Sequence, residues 1–337
     1  MKRKISFFEI KEWEKEIIKG KLKKERLKFF NFPLNKNNFR YAKDSEIISV
    51  FIESKLDKNL IDKIPNLKLI TTRSTGFDHI DVEYCKKRRI SVCNVPFYGE
   101  NTVAEHAFAL ILTLSRKIYP CIERTHEEHS FETDDSLTGF DLKDKNIGVI
   151  GYGNIGKHVV NIALGFGMKI LVFERNPDEK LAKKIGFENV SFDELLKKSD
   201  IITIHVPYNK NTHHLIDKKA ISKMKNGVYI INTSRGGIIH THDLIEGLKS
   251  KKISGAGLDV LEEEHELIKD LEVFEDKTKS KEEIKTLLEN HLLMKMNNVI
   301  LTPHNAFNSK EALERILSTT IKNISDFILG RKNNLVF

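Results

Sequence analysis

The sequence is poor in the residues that mark secreted, metal-binding or membrane proteins. Only 3 of its 337 residues are cysteine, Cys85, Cys93 and Cys121, and no two of them stand at a spacing typical of metal or redox motifs. The longest nearly unbroken apolar run, Ala107 to Leu114, is far shorter than the roughly 20 residues of a membrane-spanning helix. We therefore expect free thiols and a cytoplasmic protein with no membrane partner.

Charge is plentiful but unevenly placed. The net charge of +8 comes from residues 1–40, which hold 13 basic and 5 acidic side chains. Around Lys11–Lys28, lysines alternate with glutamates and a few apolar residues, as on the solvated face of a short helix. An anion-attracting patch is the alternative. Because no nucleic-acid motif accompanies this stretch, we expect no nucleic-acid partner.

Apolar segments with strand and helix periodicity alternate along most of the chain. Strands are predicted at Ile5–Ile10, Glu46–Ile52, Leu67–Thr72, Ile90–Val95, Asn146–Gly151, Lys169–Glu174, Asp200–His205, Gly227–Asn232, Ser254–Val260 and Asn298–Thr302. Such alternation predicts an α/β fold with parallel sheets covered by helices on both faces. A buried helix over Asn101–Lys117 follows a turn-prone stretch and marks a candidate domain crossing. The charge-rich Glu262–Asn290 interrupts the series as an added helical excursion, and Lys310–Leu329 predicts a last amphipathic helix.

A three-glycine pattern, Gly151-Tyr152-Gly153-Asn154-Ile155-Gly156, is the strongest local motif. It follows a predicted strand and opens a predicted helix, as in dinucleotide-binding domains. There the first glycine makes a tight turn, the second lets the backbone approach a pyrophosphate, and the third lets helix and strand pack closely. Backbone N–H groups of the first helical turn would face the phosphates. The alternative is a domain whose glycines only form the turn.

The residues expected at the ribose site indicate which cofactor binds. The strand after the glycine pattern ends in Glu174, 18 residues beyond Gly156. A carboxylate there would accept hydrogen bonds from ribose hydroxyls and repel a 2′-phosphate, which favours NAD over NADP. Arg175 would favour NADP instead, because a guanidinium pairs with phosphate. We expect NAD.

Three more segments place charged side chains directly after predicted strands. Arg235 lies in Asn232–Gly237, the run Glu262-Glu263-Glu264 comes shortly after Asp259, and His304 follows Leu301-Thr302-Pro303. Ligands bind at the carboxyl ends of strands in open α/β sheets, so we expect these groups to converge. An arginine to bind a carboxylate, a histidine to move a proton and an acid to orient the histidine are what reduction of a 2-oxo acid requires. The pairs His126/His129 and His240/His242 lack a convincing third ligand, so we expect no metal.

These segments resemble the D-isomer-specific 2-hydroxyacid dehydrogenase family. The similarity runs from about Ser45 to Leu329 and includes the stretches Thr72–Asp81, Val95–Glu105 and His205-Val206-Pro207. Its spacing is most similar to the D-lactate dehydrogenase branch. The resemblance implies two Rossmann-like or flavodoxin-like parallel-sheet domains with a cleft between them. It implies a substrate-binding domain of 1–98 plus 308–337, an NAD-binding domain of 99–307, and a homodimer formed through the helix after Asn101.

The resemblance also implies roles for individual residues. Arg235, Glu264 and His304 would be catalytic, with Asp259 supporting them. The substrate would contact Thr75, Gly76, Tyr98, Arg235 and Phe307. Besides Arg235 and Asp259, the cofactor would contact Gly151, Gly153, Asn154, Ile155, Gly156, Glu174, Arg175, His205, Val206, Pro207 and Thr233. One departure is that His265 follows the catalytic acid where relatives commonly have proline, and the glutamate run leaves its register open by one or two residues.

The expected activity is NAD-dependent interconversion of a small 2-oxo acid and its D-2-hydroxy acid. The expected pair is pyruvate and D-lactate, and His304 would be the general acid and base. One alternative is a dehydrogenase for a bulkier 2-hydroxy acid or for glycerate and hydroxypyruvate. The other, from a different class, is a binding protein that senses NAD(H), because transcriptional corepressors resemble the same fold.

Overall fold

The chain divides into two compact units in the computed structural model, which describes residues 2–264 and 280–337. Unit 1 combines Met1–Tyr98 with Ser309–Phe337, and unit 2 is Gly99–Asn308. The second boundary falls after Asn308, one residue later than the predicted domain boundary. In the part of the chain that the structure describes, no helix has both the length and the apolarity that crossing a membrane requires.

Strands and helices alternate in both units. Up to residue 98 the elements are β1 (Lys4–Phe7), α1 (Glu12–Lys21), β2 (Arg26–Phe29), β3 (Ile47–Val50), α2 (Lys58–Asp62), β4 (Leu69–Thr72), α3 (Val82–Lys87) and β5 (Ser91–Cys93). Unit 2 contains α4 (Glu100–Ser115), α5 (Ile118–His126), β6 (Asn146–Ile150), α6 (Asn154–Gly165), β7 (Lys169–Phe173), α7 (Glu179–Ile185), β8 (Glu188–Asn189), α8 (Phe192–Lys198), β9 (Ile201–Ile204), α9 (Lys218–Lys223), β10 (Val228–Asn232), α10 (Thr241–Lys249), β11 (Ile253–Leu258), α11 (Lys281–Met294) and β12 (Val299–Leu301). The last helix, α12 (Lys310–Ile328), belongs to unit 1.

Each unit is built on one parallel sheet, which confirms the predicted fold class. The unit 1 sheet has five strands in the order β2-β1-β3-β4-β5, a flavodoxin-like arrangement. The unit 2 sheet has seven strands in the order β12-β11-β10-β9-β6-β7-β8, a Rossmann-like arrangement. Its strand order reverses between β6 and β9, and ligands of open α/β sheets bind at the carboxyl ends of strands at such a switch point.

The strands of unit 2 are short apolar runs because the sheet is buried on both faces. All four residues of β9 are buried. Ile202 and Ile204 belong to one apolar cluster with residues of α8, α9 and α10, whereas Ile201 belongs to another with residues of α4 and α6. Neighbouring β9 side chains thus pack on opposite layers of helices, as the alternation of side chains along a strand requires.

The carboxyl ends of the unit 2 strands are in register. Ile150 of β6 pairs with Ile204 of β9, which pairs with Asn232 of β10. Asn232 pairs with Leu258 of β11, and Leu258 with Leu301 of β12. The segments that follow these five residues therefore emerge along a single edge of the sheet. They carry the glycine turn, His205, Arg235, Glu264 and His304.

Some local predictions were wrong. The basic stretch 11–28 is not one helical face, because α1 ends at Lys21 and Arg26–Phe29 form an edge strand. The two-residue β8 and the helix α5 were not predicted. Of the predicted excursion, α11 is a helix, while residues 265–279 lie outside the described part of the chain.

Candidate active site

The glycine turn after β6 has the geometry of a dinucleotide-binding turn. Gly151 has φ of 99°, and a Cβ there would lie 2.7 Å from the His205 carbonyl oxygen. A Cβ at Gly156 would lie 2.1 Å from the Gly151 carbonyl oxygen, so the start of α6 packs directly on the turn. A Cβ at Gly153, in contrast, would meet open space. The chain therefore requires glycine at the first and third positions and leaves room for a ligand at the second.

The beginning of α6 is suited to phosphate. Asn154 and Ile155 form its first turn, and Gly153, at the N-cap, supplies no side-chain cap. Unpaired backbone N–H groups and the positive end of the helix dipole attract an anion at such a terminus. Val206 and Pro207 begin the neighbouring turn, and the Val206 side chain would meet a Cβ at Gly151 at 2.8 Å.

Two buried polar atoms at this edge of the sheet lack protein partners among the described residues. His205, after β9, bonds through Nε2 to Thr203 Oγ1 at 2.7 Å, but its Nδ1 has no partner. Burial lowers the pKa of His205 to about 3, so the ring is neutral at physiological pH. The buried hydroxyl of Thr233, after β10, is also unpaired. Buried polar groups are normally satisfied, so both atoms fit a site that is completed by a polar cofactor.

Glu174 stands at the end of β7, as the ribose-binding acid should. Burial raises its pKa, Lys157 lowers it, and Asp178 adds to the rise. Arg175, the neighbour that could pair with a phosphate, is exposed. Together with the glycine turn and the unpaired atoms, these residues fit an NAD molecule.

His304 and Glu264 form a close pair at the same edge of the sheet. His304 Nδ1 lies 2.7 Å from Glu264 Oε1, and the two side chains are 28% and 22% exposed, so a small molecule can reach them. The other oxygen of Glu264 accepts the backbone N–H of Leu261 at 3.2 Å. Glu262 instead pairs with His214 at 2.6 Å. Of the two, it is therefore Glu264 that meets His304.

Asp259 holds the turn that carries His304. His304 has a left-handed backbone with φ of 49°, and its N–H donates to the Asp259 carbonyl at 2.9 Å. The Asp259 carboxylate, 1% exposed, accepts the N–H groups of Asn305 at 2.8 Å and Ala306 at 2.9 Å, and the hydroxyl of Thr302. Burial raises the Asp259 pKa, but hydrogen bonds, first from His106 and Thr302, outweigh it and lower the pKa overall. Asp259 is thus an ionised anchor beneath the loop.

Arg235 follows β10 and lies against the segment that leads to Glu264. Its Nη1 donates to the Ser234 carbonyl at 2.8 Å, and its own carbonyl accepts Asn232 Nδ2 at 2.9 Å. A Cβ at the next residue, Gly236, would lie 2.0 Å from the Leu261 carbonyl carbon. The structure thus brings the backbone loops of the arginine and the acid into direct contact.

The other residues predicted to bind substrate are divided between the units. In unit 1, the Thr75 hydroxyl donates to the Val95 carbonyl at 2.8 Å, and the Gly76 carbonyl accepts Ser74 Oγ at 2.6 Å. Also in unit 1, the Tyr98 carbonyl accepts Arg315 Nε at 2.6 Å. In unit 2, the Phe307 ring stands edge-on to His304, with ring centroids 6.5 Å apart.

Sequence reasoning missed His106 of α4. Its Nε2 lies 2.9 Å from Thr302 Oγ1 and 3.4 Å from Asp259 Oδ1, so it belongs to the network under the His304 loop. The available signal was a histidine among the apolar residues of the buried helix predicted over Asn101–Lys117. Among residues 2–264 and 280–337, no group of three metal-binding side chains is placed to hold an ion. His240 and His242 pair instead with Asp243 and Glu289, at 2.6 and 2.7 Å.

Comparison with known proteins gives consistent results. The family profile described as D-isomer specific 2-hydroxyacid dehydrogenase, NAD binding domain, matches residues 108–306. A 2-hydroxyacid dehydrogenase homolog of Haemophilus influenzae is 37% identical over 97% of each chain, and the D-lactate dehydrogenase of Escherichia coli is 35% identical over 90% of each. The crystal structure of D-lactate dehydrogenase from Aquifex aeolicus, complexed with NAD and lactic acid, superposes with a TM-score of 0.88 at 40% identity over 98% of each chain.

The fold and these similarities are those of an NAD-dependent dehydrogenase. The chain belongs to the D-isomer-specific 2-hydroxyacid dehydrogenase family, in its D-lactate dehydrogenase branch. These findings confirm the family, the enzyme class and NAD as the cofactor. They favour an enzyme over the alternative of a binding protein that only senses NAD(H).

Proposed function

We propose that the enzyme interconverts pyruvate and D-lactate, with His304 as the general acid and base. The observation that carries the proposal is the 2.7 Å pair of His304 and Glu264 on the sheet edge that holds the glycine turn. The solved D-lactate dehydrogenase of Aquifex aeolicus, with NAD and lactic acid bound, supports the choice of substrate.

NAD supplies the hydride acceptor when bound, and NADH the donor. The α6 N-terminus and the open space at Gly153 would hold its pyrophosphate, and Glu174 its adenosine ribose. The unpaired His205 Nδ1 and Thr233 hydroxyl would hydrogen-bond its polar groups. A neutral His205 adds no charge to this part of the site.

Nε2 of His304 is the atom that transfers the proton, because Nδ1 is bonded to Glu264. In reduction, the carbonyl carbon of pyruvate receives the hydride and its oxygen receives the proton from Nε2. Glu264 fixes the ring orientation and stabilises the imidazolium that precedes transfer. In lactate oxidation the neutral ring takes the proton back.

Substrate binding is assigned to Arg235 and to residues of unit 1. A guanidinium can hold the substrate carboxylate in a two-pronged contact and polarise the adjacent carbonyl. By resemblance, the backbone of Thr75 and Gly76 also binds the carboxylate, Tyr98 approaches the substrate, and Phe307 limits the size of its side chain.

Other 2-oxo acids are the main alternative. A glyoxylate reductase of Thermococcus litoralis is 36% identical over 86% of this chain, so a substrate smaller than pyruvate is the second candidate. One methylene changes selectivity by only about 1–3 kcal/mol, so assays must decide. Glyoxylate, pyruvate, hydroxypyruvate and bulkier 2-oxo acids should be compared with NADH and NADPH, and the chirality of the product determined. Highest kcat/KM with pyruvate and NADH and a D-lactate product are expected; L-lactate or a clear preference for another acid would contradict the proposal.

Homodimer formation and a cytoplasmic location belong to the same proposal. The helix predicted to form the dimer, after Asn101, is α4, and the next helix, α5, exposes Ile118, Tyr119 and Ile122 at 44%, 53% and 51%, a face suited to a second copy. Burial raises the pKa of Cys85 to about 11 and of Cys93 to about 12, as for inert thiols in a reducing compartment. Sedimentation of wild type and Ile122→Glu tests the dimer, which should dissociate in the variant.

A further inference from the structure

Glu264 lies in the turn 262–264. The side chain of Glu262 holds this turn against neighbouring segments of unit 2. One oxygen of the Glu262 carboxylate lies 2.6 Å from His214 Nε2. The other accepts the backbone N–H of Thr241 at 2.9 Å and the Thr241 hydroxyl at 2.6 Å. The side chain is 15% exposed, so these bonds are largely shielded from water. This carboxylate thus ties the turn to two other segments of unit 2.

Thr241 is the first residue of α10, and its N-cap residue, His240, makes no side-chain cap bond. Glu262 therefore caps α10 from a distant part of the chain and places a negative charge at the positive end of the helix dipole. Both interactions hold the Glu262 carboxylate at the start of α10.

The backbone of the turn has a second support from α11. Asn290 is completely buried, and its Nδ2 donates to the Glu262 carbonyl at 2.7 Å. The residue between the two glutamates, Glu263, has a left-handed backbone with φ of 51°, which is uncommon for a residue other than glycine. A turn of this kind persists when surrounding contacts determine it.

We propose that Glu262 is a positioning residue for proton transfer, and that Asn290 assists it. Together they fix the turn so that the Glu264 carboxylate meets Nδ1 of His304. The role of α11, part of the charge-rich excursion, is then to brace the catalytic acid. The inference rests on the proposed roles of His304 and Glu264.

The test compares Glu262→Gln, Asn290→Ala and Glu264→Gln with the matched control Glu263→Gln, an exposed neighbour in the same glutamate run. A glutamine at 262 keeps the size of the side chain, but it cannot accept from both His214 and Thr241 as the carboxylate does. A displaced catalytic group slows turnover by about 10- to 100-fold. We expect a loss in this range for Glu262→Gln, and a smaller one for Asn290→Ala, in pyruvate reduction.

The pH profile separates positioning from a merely structural role. If Glu264 stabilises the His304 imidazolium less well, the alkaline limb of kcat/KM for reduction moves to lower pH. We expect this movement in Glu262→Gln and Asn290→Ala, with the KM for NADH unchanged and wild-type behaviour in Glu263→Gln. If circular dichroism shows that Glu262→Gln does not fold, the test of the positioning role rests on Asn290→Ala, because that variant keeps the Glu262 carboxylate.

The outcomes distinguish this inference from the function on which it rests. Wild-type kcat and pH profile in both Glu262→Gln and Asn290→Ala, with activity lost in Glu264→Gln, would overturn the positioning role alone. Wild-type activity in Glu264→Gln would overturn the proposed role of Glu264 in proton transfer and the inference with it, whereas a wild-type enzyme that does not reduce pyruvate would overturn the proposed function.

Discussion

Replacement of Asp259 by asparagine should weaken unit 2 and slow the reaction together. The buried Asp259 carboxylate accepts hydrogen bonds from the Thr302 hydroxyl and from the N–H groups of Asn305 and Ala306, and its Oδ1 lies 3.4 Å from His106 Nε2. An asparagine side chain has a single acceptor oxygen, so its NH2 group must face at least one of these donors. The loop that presents His304 then loses part of its support.

The size of the effect follows from the number of bonds. A hydrogen bond to a charged group contributes about 1.5–3 kcal/mol, and a buried donor without an acceptor costs about 1–3 kcal/mol. We expect Asp259→Asn to reduce the free energy of unfolding of unit 2 by about 3–5 kcal/mol. Thr302→Val, which removes one donor, should cost about 1.5–3 kcal/mol. Asp141→Asn, at an exposed position, is the matched control and should stay within about 0.5 kcal/mol of wild type.

The effect should also depend on pH. The pKa of Asp259 is lowered in the folded protein, so its ionised form contributes stability above the pKa of an unfolded aspartate, about 3.9. That contribution is lost as the pH falls through the lower folded pKa. The difference in unfolding free energy between wild type and Asp259→Asn should therefore be constant near neutral pH and should shrink below about pH 4.

Urea unfolding measures these differences, and the chain contains an internal reference. Its one tryptophan, Trp13, lies in α1 of unit 1, whereas circular dichroism reports on both units. The transition that involves unit 2 should move to lower urea in Asp259→Asn, and kcat should fall in the same variant. An unfolding profile and kcat equal to those of Asp141→Asn would refute the anchoring role of Asp259.

Three further predictions concern the cofactor and the substrate. Gly156→Ala puts a Cβ 2.1 Å from the Gly151 carbonyl oxygen, so NADH binding by fluorescence titration should be severely weakened; wild-type affinity would contradict the proposed turn geometry. Arg235→Lys should raise the KM for pyruvate and lower kcat, because an ammonium cannot make the two-pronged contact, and unchanged steady-state kinetics would remove Arg235 from the substrate site. Glu174→Ser should reduce the preference for NADH over NADPH, measured as the ratio of kcat/KM values, and an unchanged ratio would remove Glu174 from the ribose site.

The sequence predicts the buried strands of unit 2 well because they are continuous apolar runs. Six strands in this unit were predicted within two residues of their observed ends, β9 and β10 among them. The edge strand β2 was missed because Arg26 and Lys28 are exposed, so its pattern was read as part of a charged helical face. The two residues of β8 are too few to give a periodic signal.

The candidate residues that directly follow buried strands could be predicted because those strands are apolar runs. Once the strands are known, parallel topology brings His304 and the acid to one edge of the sheet. What sequence spacing leaves open is which glutamate of the run meets His304, since that depends on the turn at Glu263. The contacts of His106 and Asn290 were also hidden, because each joins helices to loops far away in the chain.

Turnover of His304→Gln in pyruvate reduction tests the central claim most directly. Glutamine can keep the contact with Glu264 but cannot supply a proton as imidazolium does. Pre-steady-state mixing of the NADH-loaded variant with pyruvate should show loss of the hydride-transfer step by at least about 100-fold, with NADH affinity unchanged. Hydride transfer at the wild-type rate would contradict the assignment of His304 as the proton donor.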